Sequence, residues 1–158
     1  MAISRNPKPP ALDPASVPAK KGATLYPEPF RAIVAGRTRH RLGDALGLKN
    51  FGVNLTWLDP GAHSSARHWH THEDEFIYVI EGEITLISDE GEQVLTPGIA
   101  AGFPAGKPGA HHLVNRGGKP AAYLEVGDRR IGDEVNYPEI DLHCGPNRSF
   151  THKDGTDY

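Results

Sequence analysis

The residues best suited to chemistry lie in the stretch RHWHTHEDEFIYVIEGE, which covers residues 67–83. Its first nine positions hold three histidines and three acids, and an apolar run and a glycine follow at once. Imidazole and carboxylate groups are side chains that bind Fe(II), Mn(II), Zn(II) and Ni(II) in proteins. The stretch therefore predicts a metal site beside a strand that must be buried.

Strand geometry explains how several of these groups can meet. Side chains two positions apart on an extended strand point the same way, so His68 and His70 share a face. Glu75 has the opposite parity, but a tight turn over residues 71–74 would start a new strand and bring Glu75 beside the two histidines. A further ligand could come from HHLVN at 111–115, where another strand begins. Three imidazoles and one carboxylate would leave metal coordination sites open for substrate, water or dioxygen.

The composition and the spacing of apolar residues favour an all-β domain. The chain has 158 residues, enough for one domain with a core, and it holds 18 glycines and 14 prolines, which indicate many turns. From residue 51 onward apolar residues alternate, with Phe51, Val53, Leu55 and Trp57 on one face. Seven further short β-prone runs follow, each closed by turn residues. Such a series is typical of a sandwich or a small barrel.

The segments outside this series are predicted to flank a barrel over residues 31–127. Residues 1–30 contain seven prolines and few large apolar residues, so we expect a flexible or polyproline-like arm that lies over the domain or over a partner subunit. RAIVAG at 31–36 can form a first strand, and 37–50 has weak helical character that favours a loop with one turn. The tail at 128–158 is polar with isolated apolar residues and is expected to wrap the barrel irregularly.

Several classes of partner and location are disfavoured by the sequence. The net charge of -3 is spread along the chain, unlike the basic patches of nucleic-acid-binding proteins. A single cysteine, Cys144, excludes an intramolecular disulfide and fits a reducing compartment. The first residues lack the apolar segment of a signal peptide, and no apolar run reaches membrane-spanning length. We therefore expect a cytoplasmic protein without nucleic-acid or membrane partners.

Two motifs in the chain resemble those of the cupin superfamily. The first motif, H-x-H, four residues, E, six residues and G, is matched by His68, His70, Glu75 and Gly82, after a DPG at 59–61. The second, G, five residues, P-x-G, then H, three residues and N, is matched by Gly98, Pro104, Gly106, His111 and Asn115. The loop before the last histidine is longer than is common, which leaves His111 and His112 as alternatives. We prefer His111 because it keeps the spacing to Asn115.

The resemblance covers about residues 50–127 and is to the small single-domain bacterial cupins. It implies a jelly-roll barrel, also called a double-stranded β-helix, of two packed antiparallel sheets. It also implies a homodimer that binds a small molecule. One divalent transition metal (Fe, Mn, Zn or Ni) would sit inside the open end of the barrel, held by His68, His70, Glu75 and His111.

The resemblance leaves more than one function open. In cupins such a site serves dioxygenases, isomerases, epimerases, decarboxylases and lyases that act on sugars, carboxylates and other small molecules. The same pocket could instead bind or sense a small molecule without catalysis, or the metal could be a structural zinc. An enzyme would need a general acid or base, for which the candidates are Tyr78, Tyr123, His63 and Glu125. We favour a metalloenzyme and leave its reaction unassigned.

Overall fold

The computed structural model describes residues 7–158 and consists mainly of short antiparallel strands. Residues 1–6 of the expected arm lie outside the described residues. Two 3-10 helices, Pro14–Ser16 and Phe30–Val34, and one α-helical turn, α1 (Leu42–Ala45), accompany the strands. The strands are β1 (Ala19–Lys21), β2 (Arg37–His40), β3 (Phe51–Leu58), β4 (Trp69–His70), β5 (Glu75–Glu81), β6 (Ile84–Ser88), β7 (Gly91–Leu95), β8 (Ala100–Phe103), β9 (His111–Val114), β10 (Ala121–Asp128), β11 (Val135–Tyr137), β12 (Leu142–Cys144) and β13 (Phe150–Thr151).

The strands form two opposed layers. The first layer is a six-stranded antiparallel sheet in the order β1-β2-β3-β10-β5-β8. The second contains a three-stranded sheet, β7-β6-β9, and a four-stranded sheet, β13-β12-β11-β4. Bridges from His63 to Val114 and from His68 to His111 join these two smaller sheets along the free edge of β9. This arrangement confirms the predicted all-β jelly-roll barrel.

The main core lies between the two layers. Leu58, Ile77 and Val79 come from the six-stranded sheet, and Ile84 and Leu86 come from β6 opposite; all five are buried. These apolar side chains pack together and fill one end of the barrel. The other end contains polar side chains and remains open as a cavity.

The described part of the arm and the tail share a second core. Tyr26 of the arm packs edge-on against Tyr137 and Phe150 of the tail, with ring centroids 5.8 and 5.7 Å apart. Leu142 and Cys144 of β12 are buried in the same cluster. The tail holds three strands of two or three residues, β11 to β13, so its backbone is partly regular.

The prediction of a strand at 31–36 is wrong. Phe30–Val34 forms a 3-10 helix instead, in which Val34 is buried, and the strand begins at Arg37. Pro29 occupies the N-cap position of this helix. The single turn expected within 37–50 is present as α1.

The six-stranded sheet turns its apolar side outward over much of its area. On β5, Phe76, Tyr78 and Ile80 are 43%, 43% and 46% exposed, whereas Ile77 and Val79 between them are buried. The alternating apolar residues of β3 lie on this outer side too, because the buried residues Thr56 and Leu58 have the opposite parity. The inner side of β3 and β10 therefore carries the polar residues of the cavity. Among residues 7–158, no helix has the length and apolar character to cross a membrane.

Candidate metal centre

Four side chains converge at the open end of the barrel. The Oε2 atom of Glu75 lies 3.0 Å from Nε2 of His111, 3.4 Å from Nε2 of His68 and 3.6 Å from Nε2 of His70. His68 directly precedes β4 and His70 ends it, while Glu75 and His111 begin β5 and β9. The structure thus brings together all four residues that were predicted as ligands.

The turn at residues 71–74 sets the position of Glu75. Such a turn was expected because Glu75 has the opposite parity to His68 and His70. Asp133, from the loop before β11, accepts hydrogen bonds from the backbone N–H groups of His72 and Glu73 at 2.8 and 3.1 Å. Asp74 accepts a hydrogen bond from the backbone N–H of Ala105 at 2.7 Å. These bonds hold the turn from both sides, so β5 starts with the Glu75 carboxylate facing the imidazoles.

The second ring nitrogens of two histidines are anchored away from this meeting point. Nδ1 of His68 lies 2.9 Å from the carbonyl oxygen of Ala66, and Nδ1 of His70 lies 2.6 Å from Oδ2 of Asp133. A carbonyl and a carboxylate are acceptors, so each Nδ1 carries the proton and each Nε2 keeps a lone pair. The ring of His111 stacks face to face on Phe103 with centroids 3.4 Å apart. All three imidazoles therefore have restricted orientations.

The electrostatics of the cluster favour an ionised carboxylate. Burial alone would raise the pKa of Glu75, but the imidazoles of His111 and His68 lower that pKa well below its usual range. Burial likewise opposes the charged form of His68, yet Glu75 outweighs it and raises the pKa of His68. At His111 burial dominates and lowers the pKa. The Glu75 carboxylate therefore faces one imidazole, His68, whose pKa is raised and another, His111, whose pKa is lowered.

The donor set fits a divalent transition metal. Oε2 of Glu75 is buried and makes no hydrogen bond, although three imidazole nitrogens lie within 3.6 Å. A buried carboxylate oxygen without a partner is costly, and a cation held jointly by the four side chains would remove that cost. His68, His70 and Glu75 offer ligand atoms within 4.8 Å of one another, and His70, Glu73 and Asp133 form a second such group. Imidazole and carboxylate suit Zn, Fe, Ni and Mn, so the chemistry of the set does not choose among them.

Comparison with known proteins agrees with this architecture. The model of the cupin domain matches residues 54–127. A sugar phosphate isomerase from a cupin superfamily of Silicibacter pomeroyi has a structure with a TM-score of 0.89 and 43% sequence identity, over 94% of this chain and 96% of that one. The chain belongs to the cupin superfamily.

Other solved structures extend the comparison. A protein from Acidithiobacillus ferrooxidans, provisionally named a sugar phosphate isomerase, is 32% identical with a TM-score of 0.69, over 75% of this cupin and 77% of that chain. The polyketide cyclase RemF from Streptomyces resistomycificus is 23% identical with a TM-score of 0.65, over 82% and 85% of the two chains, and shares the fold alone. The search of curated proteins gave no match.

The remaining histidines of the cupin motif region lie apart from the cluster. His112 points the other way along β9, and its Nδ1 lies 3.1 Å from the carbonyl oxygen of Ser65. His63 packs against His112, with ring centroids 5.3 Å apart. His72 is exposed in the turn. Of the two alternatives His111 and His112, the structure brings only His111 to Glu75.

The cluster forms part of the wall of a cavity of about 540 Å³. Two of the four candidate acid–base residues, Tyr123 and Glu125 of β10, line the same cavity, whereas Tyr78 is on the outer face and His63 lines a different depression. Glu125 is held by Asn54, whose Nδ2 donates to it at 2.8 Å. Arg39 also pairs with it, with Nε 2.6 Å from the carboxylate. Burial raises the pKa of the Tyr123 hydroxyl, which keeps it a proton donor.

Asp133 is the residue at this centre that the sequence analysis missed. It lies in the tail, 63 positions from His70, and its side chain is only 8% exposed. No spacing rule links the two residues. The sequence signal that could have drawn attention to Asp133 is the loop RRIGDE at 129–134. Its glycine and acids follow β10 and end the apolar alternation of that strand.

Proposed function

We propose that this cupin is a metal-dependent isomerase that interconverts the aldose and ketose forms of a phosphorylated sugar. The observation that carries the proposal is the convergence of three imidazoles and Glu75 on one wall of a cavity that also contains Glu125. The likeness to the sugar phosphate isomerase of Silicibacter pomeroyi, over nearly the whole of both chains, supports this reaction class.

The metal would be held by the four converging side chains, His68, His70, Glu75 and His111. A bound divalent metal supplies Lewis-acid polarisation of a substrate carbonyl. The chain's own part is to keep the Nε2 lone pairs of His68 and His70 aimed at one point, through the Ala66 carbonyl and Asp133. The stacking of Phe103 on His111 restrains the third ring in the same way.

Isomerisation also needs a group that moves a proton between neighbouring carbons. Glu125 suits this role because it lines the cavity and its orientation is fixed by Asn54 and Arg39. Its carboxylate would take the proton from C2 of the aldose and return it to C1, while the hydroxyl proton passes between the two oxygens. Tyr123, kept protonated by burial, would donate a hydrogen bond to a substrate oxygen.

Deuterium exchange tests the proposal directly. The purified chain would be loaded in turn with Mn, Zn, Fe or Ni, and aldose phosphates of three to six carbons would be supplied in deuterium oxide. Proton NMR would follow both the ketose product and deuterium at the carbon next to the carbonyl. Metal-dependent isomerisation with exchange is expected, and a His68→Ala/His70→Ala variant should show neither.

The same experiment decides between an enzyme and a binding module. Line broadening of a sugar phosphate on the metal-loaded chain, without product or exchange for any metal, would contradict the isomerase and favour non-catalytic binding. A structural zinc would be indicated if zinc loading raised the melting temperature but no sugar phosphate changed it further.

We also propose that two copies assemble through the outer face of the six-stranded sheet. Phe76, Tyr78 and Ile80 leave β5 apolar on both sides, and each is more than two-fifths exposed in one chain. Their neighbours Leu124 and Val126 on β10 continue the apolar surface, which ends at Asp128. A second identical sheet packed face to face would bury this patch with itself, as twofold dimers do.

The compartment proposed for this enzyme is the cytoplasm. Cys144 is the single cysteine of the chain, and it is buried as a free thiol. Such usage fits a reducing environment. Immunoblotting of fractionated cells, with markers for each compartment, would test the assignment.

A further inference from the structure

Arg37 is a buried cation that lacks a carboxylate partner. Its residue is 5% exposed, and its guanidinium donates to the backbone carbonyls of Ser64 and Ala23, the latter at 2.9 Å. Burial first, and then the neighbouring charge of Arg39, lowers the pKa of Arg37 to about 10, so the group stays charged at neutral pH. Neutral carbonyls replace water only partly around a buried charge, and buried charges are ordinarily paired.

Apart from the exposed Lys20, the other charged groups of the cavity lie beside a basic or acidic partner. Glu125 pairs with Arg39, and Asp133 pairs with His70. Nearer the rim, the acids are matched by arginines in the pairs Asp44–Arg129, Asp128–Arg130 and Glu73–Arg148. Among the cavity-lining residues of the described chain, Lys20 and Arg37 have no carboxylate within 4 Å, and Lys20 is exposed to solvent. Arg37 is therefore the buried cation among these residues that forms no ion pair.

Arg37 and Arg39 form one wall with the candidate metal centre. They are two positions apart on β2 and point to the same side, into the cavity that His68, His70 and Glu75 also line. Of the two guanidinium groups, Arg39 is in an ion pair with Glu125, and Arg37 is in none. An anionic group of a molecule in this cavity could therefore pair with Arg37.

We propose that Arg37, assisted by Arg39, binds the phosphoryl group of the substrate. The role rests on the proposed function, because it takes the substrate to be phosphorylated. A guanidinium has five N–H donors in a fixed plane, and Arg37 uses only some of them on Ser64 and Ala23. The remaining donors match the oxygen geometry of a phosphate, which arginine binds more specifically than lysine does. The same cavity also contains Glu125 and the histidines, which would face the rest of the substrate.

Phosphate binding to the full chain, stripped of metal with a chelator, tests this role apart from any metal. Inorganic phosphate would be titrated calorimetrically at neutral pH and constant ionic strength. We expect saturable binding of one phosphate per chain. The affinity should fall at least about tenfold in Arg37→Lys, because lysine keeps the positive charge but loses the planar pair of N–H donors. Arg116→Gln is the control, because Arg116 pairs with Glu92 outside the cavity and its loss should change nothing.

A measurement on the unmutated protein guards against a variant that fails to fold. Side-chain Nε–H resonances of the arginines, assigned through the backbone, would be followed by nitrogen-15 NMR as phosphate is added. The Arg37 and Arg39 resonances are expected to shift together, with the same dissociation constant as the calorimetry. Shifts confined to the rim residues Arg130 and Arg148, or no saturable shift, would overturn the proposal. Equal affinity for acetate would also overturn it, since the site would then be one for carboxylates.

The two proposals can fail separately. If sugar phosphates are isomerised but phosphate binding is the same in Arg37→Lys, the phosphoryl site is wrong and the isomerase stands. If phosphate binds at Arg37 but no sugar phosphate exchanges deuterium with any metal, the isomerase is wrong and the anion site stands.

Discussion

The Nδ1 atom of His70 lies 2.6 Å from Oδ2 of Asp133, a residue of the tail that lies beyond the matched cupin domain. The same carboxylate accepts hydrogen bonds from the backbone of His72 and Glu73 in the turn before β5. One side chain of the tail therefore fixes both the tautomer of His70 and the turn that delivers Glu75. The tail therefore contributes Asp133 to the candidate metal centre, whose four proposed ligands come from the barrel.

Replacing Asp133 by asparagine should weaken metal binding about 10- to 100-fold, the usual effect of removing the carboxylate behind a ligating histidine. The amide keeps the shape but loses the charge that stabilises the Nδ1 proton. Affinity would be measured by competition with a chromophoric chelator. Asp128→Asn is the control, because Asp128 pairs with Arg130 and does not touch the histidines. Equal affinities for the Asp133 variant and the unmutated chain would show that His70 needs no such partner.

Glu125→Gln should reduce deuterium exchange into the substrate by about 10²- to 10⁴-fold, the range for loss of a general base, with unchanged metal content. The reason is that glutamine keeps the hydrogen-bonding shape beside Asn54 but cannot accept the proton. The rate would be followed by NMR and the metal by elemental mass spectrometry. Glu83→Gln, an exposed change, is the control. Undiminished exchange in Glu125→Gln would remove this residue from the reaction.

Local rules predicted the short strands and the meeting of His68, His70 and Glu75, whereas the jelly-roll barrel and the choice of His111 came from the resemblance to the cupin motifs. Alternating apolar residues define strands, and parity with a turn decides which side chains meet. The role of Asp133 could not be found this way, since its contact with His70 depends on how the tail folds back. The helix at Phe30–Val34 was missed because a short apolar run fits a strand or a helix equally well.

Leu142→Ala tests whether the tail folds together with the barrel. Leu142 is fully buried between the arm and the tail, so its truncation should lower the free energy of unfolding by about 2–5 kcal/mol. Leu25→Ala, at a leucine that is 71% exposed, should cost within about 0.5 kcal/mol. Urea unfolding followed by circular dichroism would measure both. A Leu142 effect as small as that of Leu25 would mean that the second core contributes little to the stability of the fold.

Tyr78→Lys should convert a dimer to a monomer if two sheets pack face to face. The lysine would place an ammonium group from each copy in the interface, where burying an unpaired charge costs free energy. Multi-angle light scattering after size exclusion would give the mass of each species. Val94→Lys is the control, since Val94 is 64% exposed on β7 of the opposite sheet. A dimer that survives Tyr78→Lys uses another surface, and a monomeric unmutated chain would rule out the assembly.

Alkaline titration should show that three of the five tyrosines do not ionise while the chain is folded. Burial raises the pKa of Tyr26, Tyr123 and Tyr137, and because the folded pKa lies above the unfolded one, the neutral hydroxyls favour the folded state. Their contribution to stability is complete below about pH 10, the unfolded pKa, and is lost as the pH rises above it. Absorbance at about 295 nm, where tyrosinate absorbs, should therefore rise only partly before circular dichroism is lost, and then rise to completion with unfolding. In concentrated guanidinium all five should titrate in one step near pH 10. One step for the folded chain, with circular dichroism intact, would mean that these hydroxyls are open to water.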